Sequence, residues 1–208
     1  MQSSEVREMN LNDNLKFDQF KNGKCIIFSA PSGAGKTTIV RYLLRNVENL
    51  AFSISAASRE PRGRETNGVD YHFLSVEDFK QKIDQDEFVE WEEVYKDNYY
   101  GTLKSEVLKN WEQGKTVLFD VDAIGGLNLN EIFGEKALSI FIHPPSLFVL
   151  EQRLKNRRTE NAEQIKMRLD KANEELSHSH KFDYILLNDN LEKACYEIKA
   201  EVEKFIRT

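Results

Sequence analysis

Short runs of uninterrupted apolar residues alternate along the chain with longer segments in which apolar residues recur every three or four positions. The apolar runs cover residues 25–28, 116–119, 137–142 and 184–187, and the helical spacing occupies residues 36–47, 147–154, 162–176 and 191–206. Strands that are apolar at every position are typical of a parallel sheet covered on both faces. The pattern therefore predicts an α/β fold, with a parallel-sheet core flanked by helices.

Residues 56–101 break this alternation. Short strand-like pieces there are separated by a loop rich in Arg, Gly and Glu and by a helix start after Ser75, so we predict an inserted α+β subdomain with a more antiparallel character. The letters NYYG at 98–101 predict a turn. Residues 1–22 are polar and lack a clear period, and we interpret them as a polar N-terminal extension ahead of one domain over 23–208.

Composition and charge exclude several classes of protein. The chain has 208 residues, a formal net charge of −6 and a pI near 5.4, so it lacks the basic surface of a typical nucleic-acid-binding protein. It contains no apolar stretch of about 18 residues, which excludes a membrane span. Its first residues lack the apolar run of a secretory signal. The cysteines, Cys25 and Cys195, cannot form a disulfide framework, and we expect a location in the reducing cytoplasm.

Residues 30–37 (APSGAGKT) nearly match the phosphate-loop pattern G-x-x-x-x-G-K-[ST], with alanine in place of the first glycine. The glycines let backbone N–H groups turn toward phosphate oxygens, and the helix that begins near Lys36 points its positive end at them. Lys36 supplies a charge to the β- and γ-phosphates, and the Thr37 hydroxyl can ligate Mg²⁺. The predicted ATP-binding residues of this loop are Ala30, Pro31, Ser32, Gly33, Ala34, Gly35, Lys36, Thr37 and Thr38.

A second group of candidates surrounds a proline-containing loop. Arg59 and Arg62 lie there, close to Ser55, and two guanidiniums and a hydroxyl can hold a phosphate dianion through charge-assisted hydrogen bonds. Tyr71 and Tyr100 can add phenolic donors. The alternative interpretation is a solvated basic loop.

Two carboxylates follow apolar positions and invite a functional interpretation. Glu90 lies in an otherwise apolar strand, and one carboxylate can accept from both N1–H and the 2-amino group of guanine, a donor pair that adenine lacks. Alternation with its neighbours leaves open that Glu90 faces solvent. Asp120 comes directly after the apolar run 116–119, where the ligand cleft of a parallel sheet opens, and we predict that it joins the Mg²⁺ shell.

Several blocks of sequence together resemble the guanylate kinases over about residues 23–207. The blocks are APSGAGKTT, SISAASREPRG, GVDYHF, FVEW, NYYGT, FDVD, FIHPPS, RLKNRRT, IKMRL and LLND. The resemblance implies a P-loop NTPase-type core with an inserted GMP-binding subdomain at about 56–101 and a helical lid at about 146–177. It also implies Mg²⁺-dependent transfer of the γ-phosphoryl group of ATP to GMP, and to dGMP, giving ADP and GDP.

The resemblance assigns roles to single residues as well. The implied GMP-binding residues are Ser55, Arg59, Arg62, Tyr71, Glu90, Tyr100, Thr102 and Asp122. The implied catalytic residues are Lys36, Arg59, Arg153 and Arg168. Arg157 and Asn188 are implied in ATP binding, and the metal-binding residues predicted above from their chemistry are Thr37 and Asp120. The chain departs from the usual family pattern at Ala30, at Ile124, where Gln is frequent, and at Arg158, where Gly is usual.

Two other functions stay open at this point. The first is a kinase with the same core and another acceptor, such as ribose bisphosphate or a different nucleoside monophosphate; Glu90 and Thr102 argue against it. The second is a non-catalytic guanylate-kinase-like binding module; the intact Gly35-Lys36-Thr37 argues against that. The expected partners are the small molecules ATP and GMP, without nucleic acid or membrane, and both a monomer and a homo-oligomer are compatible with the sequence.

Overall fold

The computed structural model describes residues 23–156 and 161–208, apart from the side chains of Val94 and Tyr95. The strands are β1 (Cys25–Ser29), β2 (Leu50–Phe52), β3 (Ala56–Ala57), β4 (His72–Phe73), β5 (Phe88–Tyr95), β6 (Asn98–Leu103), β7 (Thr116–Val121), β8 (Ala137–His143) and β9 (Tyr184–Leu187). The α-helices are α1 (Lys36–Asn46), α2 (Val76–Asp84), α3 (Lys104–Glu112), α4 (Ala123–Phe133), α5 (Leu147–Asn156), α6 (Ala162–Ser177) and α7 (Leu191–Arg207). Within these ranges no helix is both long and apolar enough to cross a membrane.

Five parallel strands form the central sheet, in the order β2-β7-β1-β8-β9. Strand β1 lies in the middle, and all of its residues are buried. Its side chains alternate between two apolar layers. Ile26 and Phe28 pack on the side of α1 and α7, whereas Cys25 and Ile27 pack on the side of α3 and α4. The predicted parallel sheet with helices on both faces is confirmed.

The carboxyl ends of β1 and β7 lie side by side because the two strands are parallel and in register. Residues 30–35 connect β1 to α1 at this edge, and Asp122 connects β7 to α4 there as its N-cap, accepting the N–H of Gly125 at 2.9 Å. Ligand clefts of parallel α/β sheets open at this edge. The fold therefore brings the predicted phosphate loop and the predicted acidic residues together.

A second sheet contains four strands in the order β4-β3-β6-β5, with β6 antiparallel to both β3 and β5. Helix α2 packs on it through Phe79, whose ring stacks on those of Phe88 and Tyr99 at centroid distances of 4.4 and 5.4 Å. Ser75 caps α2 by accepting the N–H of Asp78 at 2.9 Å, as the sequence predicted for a helix start. The sheet falls in the region predicted as the α+β insert, and the exact division into subdomains stays a prediction.

The turn predicted at residues 98–101 is wrong. These residues belong to β6, and the hairpin turn lies at residues 96 and 97, where Asp97 has a φ of 60°. Gly101 pairs with Trp91, and a Cβ at this glycine would come within 2.7 Å of the Glu90 carbonyl oxygen. The glycine permits the two strands to approach closely. In a single sequence, a glycine required for this reason cannot be told from a glycine that favours a turn.

Candidate active site

A cleft of about 370 Å³ opens at the carboxyl edge of the central sheet. Its walls are the phosphate loop, the start of α1, the end of β7 and one face of α6. The predicted metal-binding pair, Thr37 and Asp120, lines it together with Asp122 and Arg168. The structure thus brings residues from both predicted nucleotide sites to one cavity.

Two glycines in the left-handed region shape the phosphate loop. Gly33 has a φ of 96° and Gly35 a φ of 104°, values that residues with a Cβ rarely adopt. Gly35 is the N-cap of α1 and offers no side-chain cap. Thr38 and Ile39 donate to the Gly35 carbonyl oxygen, which leaves the N–H groups of Lys36 and Thr37 to a ligand. Ala30 is buried at the end of β1 and has no positive φ, so the methyl group at this departure from the pattern is accommodated.

Lys36 and Asp120 form an ion pair at the floor of the cleft. The Lys36 ammonium also donates to the Val121 carbonyl oxygen at 2.7 Å. Both charged side chains keep about one-fifth of their surface exposed, 18% for Lys36 and 22% for Asp120. The pair therefore presents a cation for phosphate oxygens and a carboxylate for a metal ion to the same space.

The two predicted lid arginines within the described residues contact the phosphate loop. Arg168 of α6 donates from Nη1 to the Ser32 hydroxyl at 2.7 Å. Arg153 of α5 donates from Nη2 to the Asn188 carbonyl oxygen at 2.9 Å and from Nη1 to the Ala34 carbonyl oxygen at 3.4 Å. Arg157, predicted to bind ATP, and the departure at Arg158 lie outside the described residues.

Asn188 lies beneath the phosphate loop and is 2% exposed. Its Nδ2 donates to the Ala34 carbonyl oxygen at 2.6 Å and lies so close to Gly35 that a Cβ there would be 2.4 Å away. Its Oδ1 is buried and accepts no hydrogen bond from the described residues. Asn188 thus supports the loop from below, and the predicted contact with the adenine base stays a prediction.

Arg59 lies two residues after β3, and its guanidinium is held by several hydrogen bonds. Its Nη1 and Nη2 donate to the two carboxylate oxygens of Glu65 at 2.6 and 2.9 Å, and its Nε donates to the Tyr100 hydroxyl at 3.0 Å. The hydrogen bond from Arg59, with a second one from the backbone N–H of Arg62, lowers the pKa of Glu65 to about 2. The same hydrogen bond with Glu65 raises the pKa of Arg59, which stays charged throughout.

Two aromatic rings pack against the Arg59 guanidinium. Its Cζ lies 4.9 Å from the ring centroid of Tyr71 and 5.5 Å from that of Phe73. Tyr71 and Tyr100 meet edge to face, with centroids 6.0 Å apart, and burial raises the pKa of Tyr71. Ser55 is half-buried directly before β3, and its carbonyl oxygen accepts the N–H of His72. Four of the predicted phosphate-binding residues, Ser55, Arg59, Tyr71 and Tyr100, therefore lie in one region, and the Arg62 side chain is exposed beside it.

Glu90 faces Thr102 across the β5–β6 pair. The fully buried Thr102 hydroxyl donates to Glu90 Oε1 at 2.8 Å. Burial raises the pKa of Glu90 to about 7; the Thr102 hydrogen bond opposes this shift, and the nearby carboxylates of Asp122 and Glu92 add to it. The interpretation of Glu90 as a solvent-facing residue does not fit this environment.

Asp122 lies between the two predicted nucleotide sites. Besides capping α4, its carboxylate faces the Lys171 ammonium of α6 at 3.8 Å, and its backbone carbonyl oxygen accepts the Ser29 hydroxyl proton at 2.8 Å. It lines the cleft and also acts electrostatically on Glu90. Ile124, the departure in this segment, is 45% exposed in the first turn of α4.

A family model described as guanylate kinase matches residues 22–205. The chain belongs to the guanylate kinase family. The curated guanylate kinase of Bacteroides thetaiotaomicron is 52% identical over 184 residues, which cover 88% of this chain and 90% of that protein. The guanylate kinase of Porphyromonas gingivalis is 50% identical over 184 residues, covering 88% and 98%. The crystal structure of guanylate kinase from Anaplasma phagocytophilum matches with a TM-score of 0.69 at 29% identity, covering 88% of this chain and 85% of that one.

The predictions of the guanylate kinase family, of an enzyme of this family and of the α/β fold class are therefore confirmed. The roles of single residues stay predictions, supported by the geometry described above. Sequence reasoning missed three residues of this family member's site: Glu65 on Arg59, and Lys171 and Glu175 in the cleft wall. Glu65 is one of two acidic residues, with Glu60, in the arginine-rich segment 59–65, and this was the available signal for it. Lys171 and Glu175 lie on an ordinary polar helix face that carries no such signal.

Proposed function

We propose that this member of the guanylate kinase family transfers the γ-phosphoryl group of ATP to GMP, and to dGMP, in one direct step. The observation that carries the proposal is the proximity of two different sites. Asp122 lines the cleft of the phosphate loop and also acts on Glu90, the half-buried carboxylate of the second sheet. Asp122 therefore connects the proposed triphosphate-binding end with the proposed guanine-binding end.

On the donor side, the N–H groups at the start of α1 and the Lys36 ammonium bind the β- and γ-phosphates of ATP. Arg153 and Arg168 already contact the loop through Ala34 and Ser32, so small movements of α5 and α6 bring their guanidiniums onto the phosphates. Arg157 adds a contact to ATP, and Asn188 supports the loop next to the adenosine.

On the acceptor side, Ser55, Arg59, Arg62, Tyr71 and Tyr100 hold the phosphate of GMP. Glu90 and Thr102, with Asp122, read the base. The Thr102 hydroxyl occupies one oxygen of the Glu90 carboxylate and thereby orients it. The ionised carboxylate then accepts from N1–H and the 2-amino group of guanine, and a base without this donor pair leaves a buried carboxylate unpaired.

Mg²⁺ fits the oxygen donors at the donor end of the cleft. The Thr37 hydroxyl and the Asp120 carboxylate both line it, and Mg²⁺ is commonly held by one or two such groups together with water and the substrate phosphates. When bound, the ion neutralises charge on the β- and γ-phosphates. Thr37 and Asp120 would hold it, and Lys36 adds the fixed charge of the protein beside them.

The transfer requires two anions to meet end to end. An oxygen of the GMP phosphate attacks the γ-phosphorus, the bond from this phosphorus to the β–γ bridging oxygen breaks, and ADP leaves. Negative charge spreads over the equatorial oxygens in the transition state, and Lys36, Arg59, Arg153 and Arg168 offset it. No covalent intermediate with the protein is needed, since the step is in line.

A coupled assay of ADP release with ATP, Mg²⁺ and a panel of monophosphates tests this function. We expect turnover with GMP and dGMP, and kcat/KM values lower by about 10³-fold or more for AMP, UMP and dTMP, because a polar base-reading site rejects isosteres strongly. Equal turnover with AMP would contradict the assignment of Glu90. Turnover with ribose bisphosphate alone would favour the other acceptor class, and GMP binding without any ADP release would favour a non-catalytic binding module.

We place the enzyme in the cytoplasm, where reducing conditions suit its free thiols. Cys25 and Cys195 are both unpaired and buried.

A further inference from the structure

Glu65 links the two arginines of the acceptor loop. Its carboxylate takes two hydrogen bonds from Arg59, at 2.6 and 2.9 Å, and Oε2 accepts the backbone N–H of Arg62 at 2.7 Å. The Arg59 side chain keeps only 8% of its surface exposed, and that of Glu65 keeps 25%. A carboxylate so close to a proposed phosphate site calls for an explanation, because its charge repels the ligand.

The explanation lies in the donors that Glu65 uses. A guanidinium has five N–H bonds, which form a terminal edge from Nη1 and Nη2 and a side edge from Nε and Nη2. Glu65 takes the terminal edge, and the second N–H of Nη1 donates to the Glu60 carbonyl oxygen at 3.0 Å. The side edge remains, and on it Nε donates to the Tyr100 hydroxyl at 3.0 Å. The guanidinium also makes a side-chain hydrogen bond with Tyr71, another of the proposed phosphate-binding residues.

The Tyr100 hydroxyl marks where a ligand would bind on this edge. Because the hydroxyl accepts from Nε, its own proton is available to an oxygen in front of Arg59. The rings of Tyr71 and Phe73 pack against the guanidinium, and its two hydrogen bonds to Glu65 fix which edge faces the Tyr100 hydroxyl. The backbone hydrogen bond from Arg62 fixes the second arginine relative to the first.

We propose that Glu65 is a positioning residue for the acceptor phosphate. It occupies the terminal edge of Arg59 and so directs the side edge, together with the Tyr100 hydroxyl, at the phosphate of the incoming nucleotide. The proposal rests on the proposed function, since it takes GMP as the acceptor. It adds a residue that acts through Arg59 and does not touch the substrate.

The sign of one measurement separates this role from simple electrostatics. If Glu65 acted on the phosphate only as a nearby negative charge, its removal would tighten GMP binding, because like charges repel. If it positions Arg59, its removal weakens GMP binding, because the guanidinium turns away from the side-on geometry. The pKa of Glu65, lowered to about 2 by its hydrogen bonds with Arg59, keeps the carboxylate charged at every assay pH of interest.

Calorimetry with GMP and with guanosine, on the full chain, tests the proposal. For Glu65→Gln we expect GMP to bind at least tenfold more weakly, on the scale of one charge-assisted hydrogen bond, and guanosine to bind within about twofold of the unaltered chain. The ratio of the two affinities within one variant does not depend on the fraction of folded protein. GMP binding that is unchanged or tighter would overturn the proposal, and an equal loss for guanosine would reduce Glu65 to a structural role.

Three further variants complete the test. Glu60→Gln removes an equal charge from the same exposed loop while keeping its carbonyl contact with Arg59, and we expect GMP to bind as tightly or slightly more tightly. Glu65→Asp keeps the charge and should recover part of the affinity. In an Arg59→Ala background, Glu65→Gln should cause no further weakening, and a further tenfold loss there would contradict action through Arg59.

The outcome for the unaltered chain keeps the two hypotheses apart. Failure of the unaltered chain to bind GMP would refute the proposed function, and with it the acceptor role of Arg59. Tight GMP binding by both the unaltered chain and Glu65→Gln would refute only the positioning role.

Discussion

The phosphate loop and the acceptor region, both of which we propose to bind a phosphate, are built in different ways. The loop 30–38 is contiguous in sequence, and its shape follows from the backbone of two glycines and one helix start. The acceptor residues are spread from Ser55 to Asp122 over several strands and a loop, and there side chains hold other side chains. We therefore expect the donor site to depend on a few backbone positions, and the acceptor site to depend on charge and pH.

The largest effect should come from the one strong cation of the phosphate loop. We expect Lys36→Ala to lower kcat by about 10³-fold or more, because the charge that stabilises the transferred phosphoryl group is lost. The ion pair with Asp120 is lost as well, but the backbone of the loop stays, so thermal unfolding should change little. Steady-state kinetics and a melting curve check both statements.

Lys109→Ala is the matched control for this change. Lys109 is exposed in the last turn of α3, outside the residues that line the cleft, and its removal should leave kcat within twofold. Full turnover by Lys36→Ala would contradict the assignment of the phosphate loop.

The second-largest effect is expected for a substitution on the acceptor side. In Glu90→Gln the amide keeps an oxygen for Thr102 but presents an NH₂ group to the donors of guanine, so we expect KM for GMP to rise by about 10²-fold or more while KM for ATP stays within twofold. Separate titrations of the two substrates measure the difference. Glu93→Gln, an exposed change on the same strand, should alter neither value, and equal rises for ATP and GMP in Glu90→Gln would mean that another residue reads the base.

A smaller, pH-dependent effect should appear on the acceptor side alone. Burial raises the pKa of Glu90 to about 7, so most of this group is protonated at pH 6 and must lose its proton to accept from guanine. We expect guanosine, which carries no phosphate of its own to titrate, to bind about tenfold more weakly at pH 6 than at pH 8. Glu90→Gln should remove the step for guanosine, and a step that persists in this variant would contradict the assignment to Glu90.

The same raised pKa has a consequence for stability. A folded-state pKa above the ordinary value of 4.5 means that the folded protein binds the proton more tightly than the unfolded chain does. The stabilisation of the folded state by this bound proton is therefore complete below pH 4.5 and is lost as the pH rises to about 7. The melting temperature of Glu90→Gln should exceed that of the unaltered chain by more at pH 8 than at pH 5. A difference that is the same at both pH values would mean that the Glu90 carboxylate is solvated in the folded protein.

The difference between the two regions also explains what could be read from the sequence. The central sheet and the phosphate loop were predictable because apolar runs and the spacing of Gly33, Gly35 and Lys36 are local signals. The β5–β6 hairpin was partly misread, because Gly101 is required by the closeness of Glu90 across the sheet, a contact that no local pattern encodes.

Contacts between distant segments account for the other omissions. Asn188 supports Ala34 across 154 positions of sequence, and only the resemblance to a family had suggested that it belongs near the donor site. Glu65 lies six positions from Arg59 and was nevertheless missed, because its charge is opposite to that expected beside a phosphate. The positioning role that we propose for Glu65 can be inferred only when each N–H of the Arg59 guanidinium is assigned to an acceptor.

The smallest effect tests whether the shape of the phosphate loop really depends on so few positions. Ala30→Gly restores the glycine of the general pattern, yet residue 30 is buried and has no positive φ, so we expect KM for ATP to change by less than twofold. The loss of a buried methyl group and the added freedom of the unfolded chain should lower the free energy of unfolding by about 1 kcal/mol. Gly35→Ala is the opposing case: it forces a Cβ onto a φ of 104° within 2.4 Å of Asn188 Nδ2, and should weaken ATP binding well beyond twofold. Denaturant titration and ATP kinetics on both variants measure the contrast, and a tenfold change in KM for ATP in Ala30→Gly would show that position 30, too, shapes the loop.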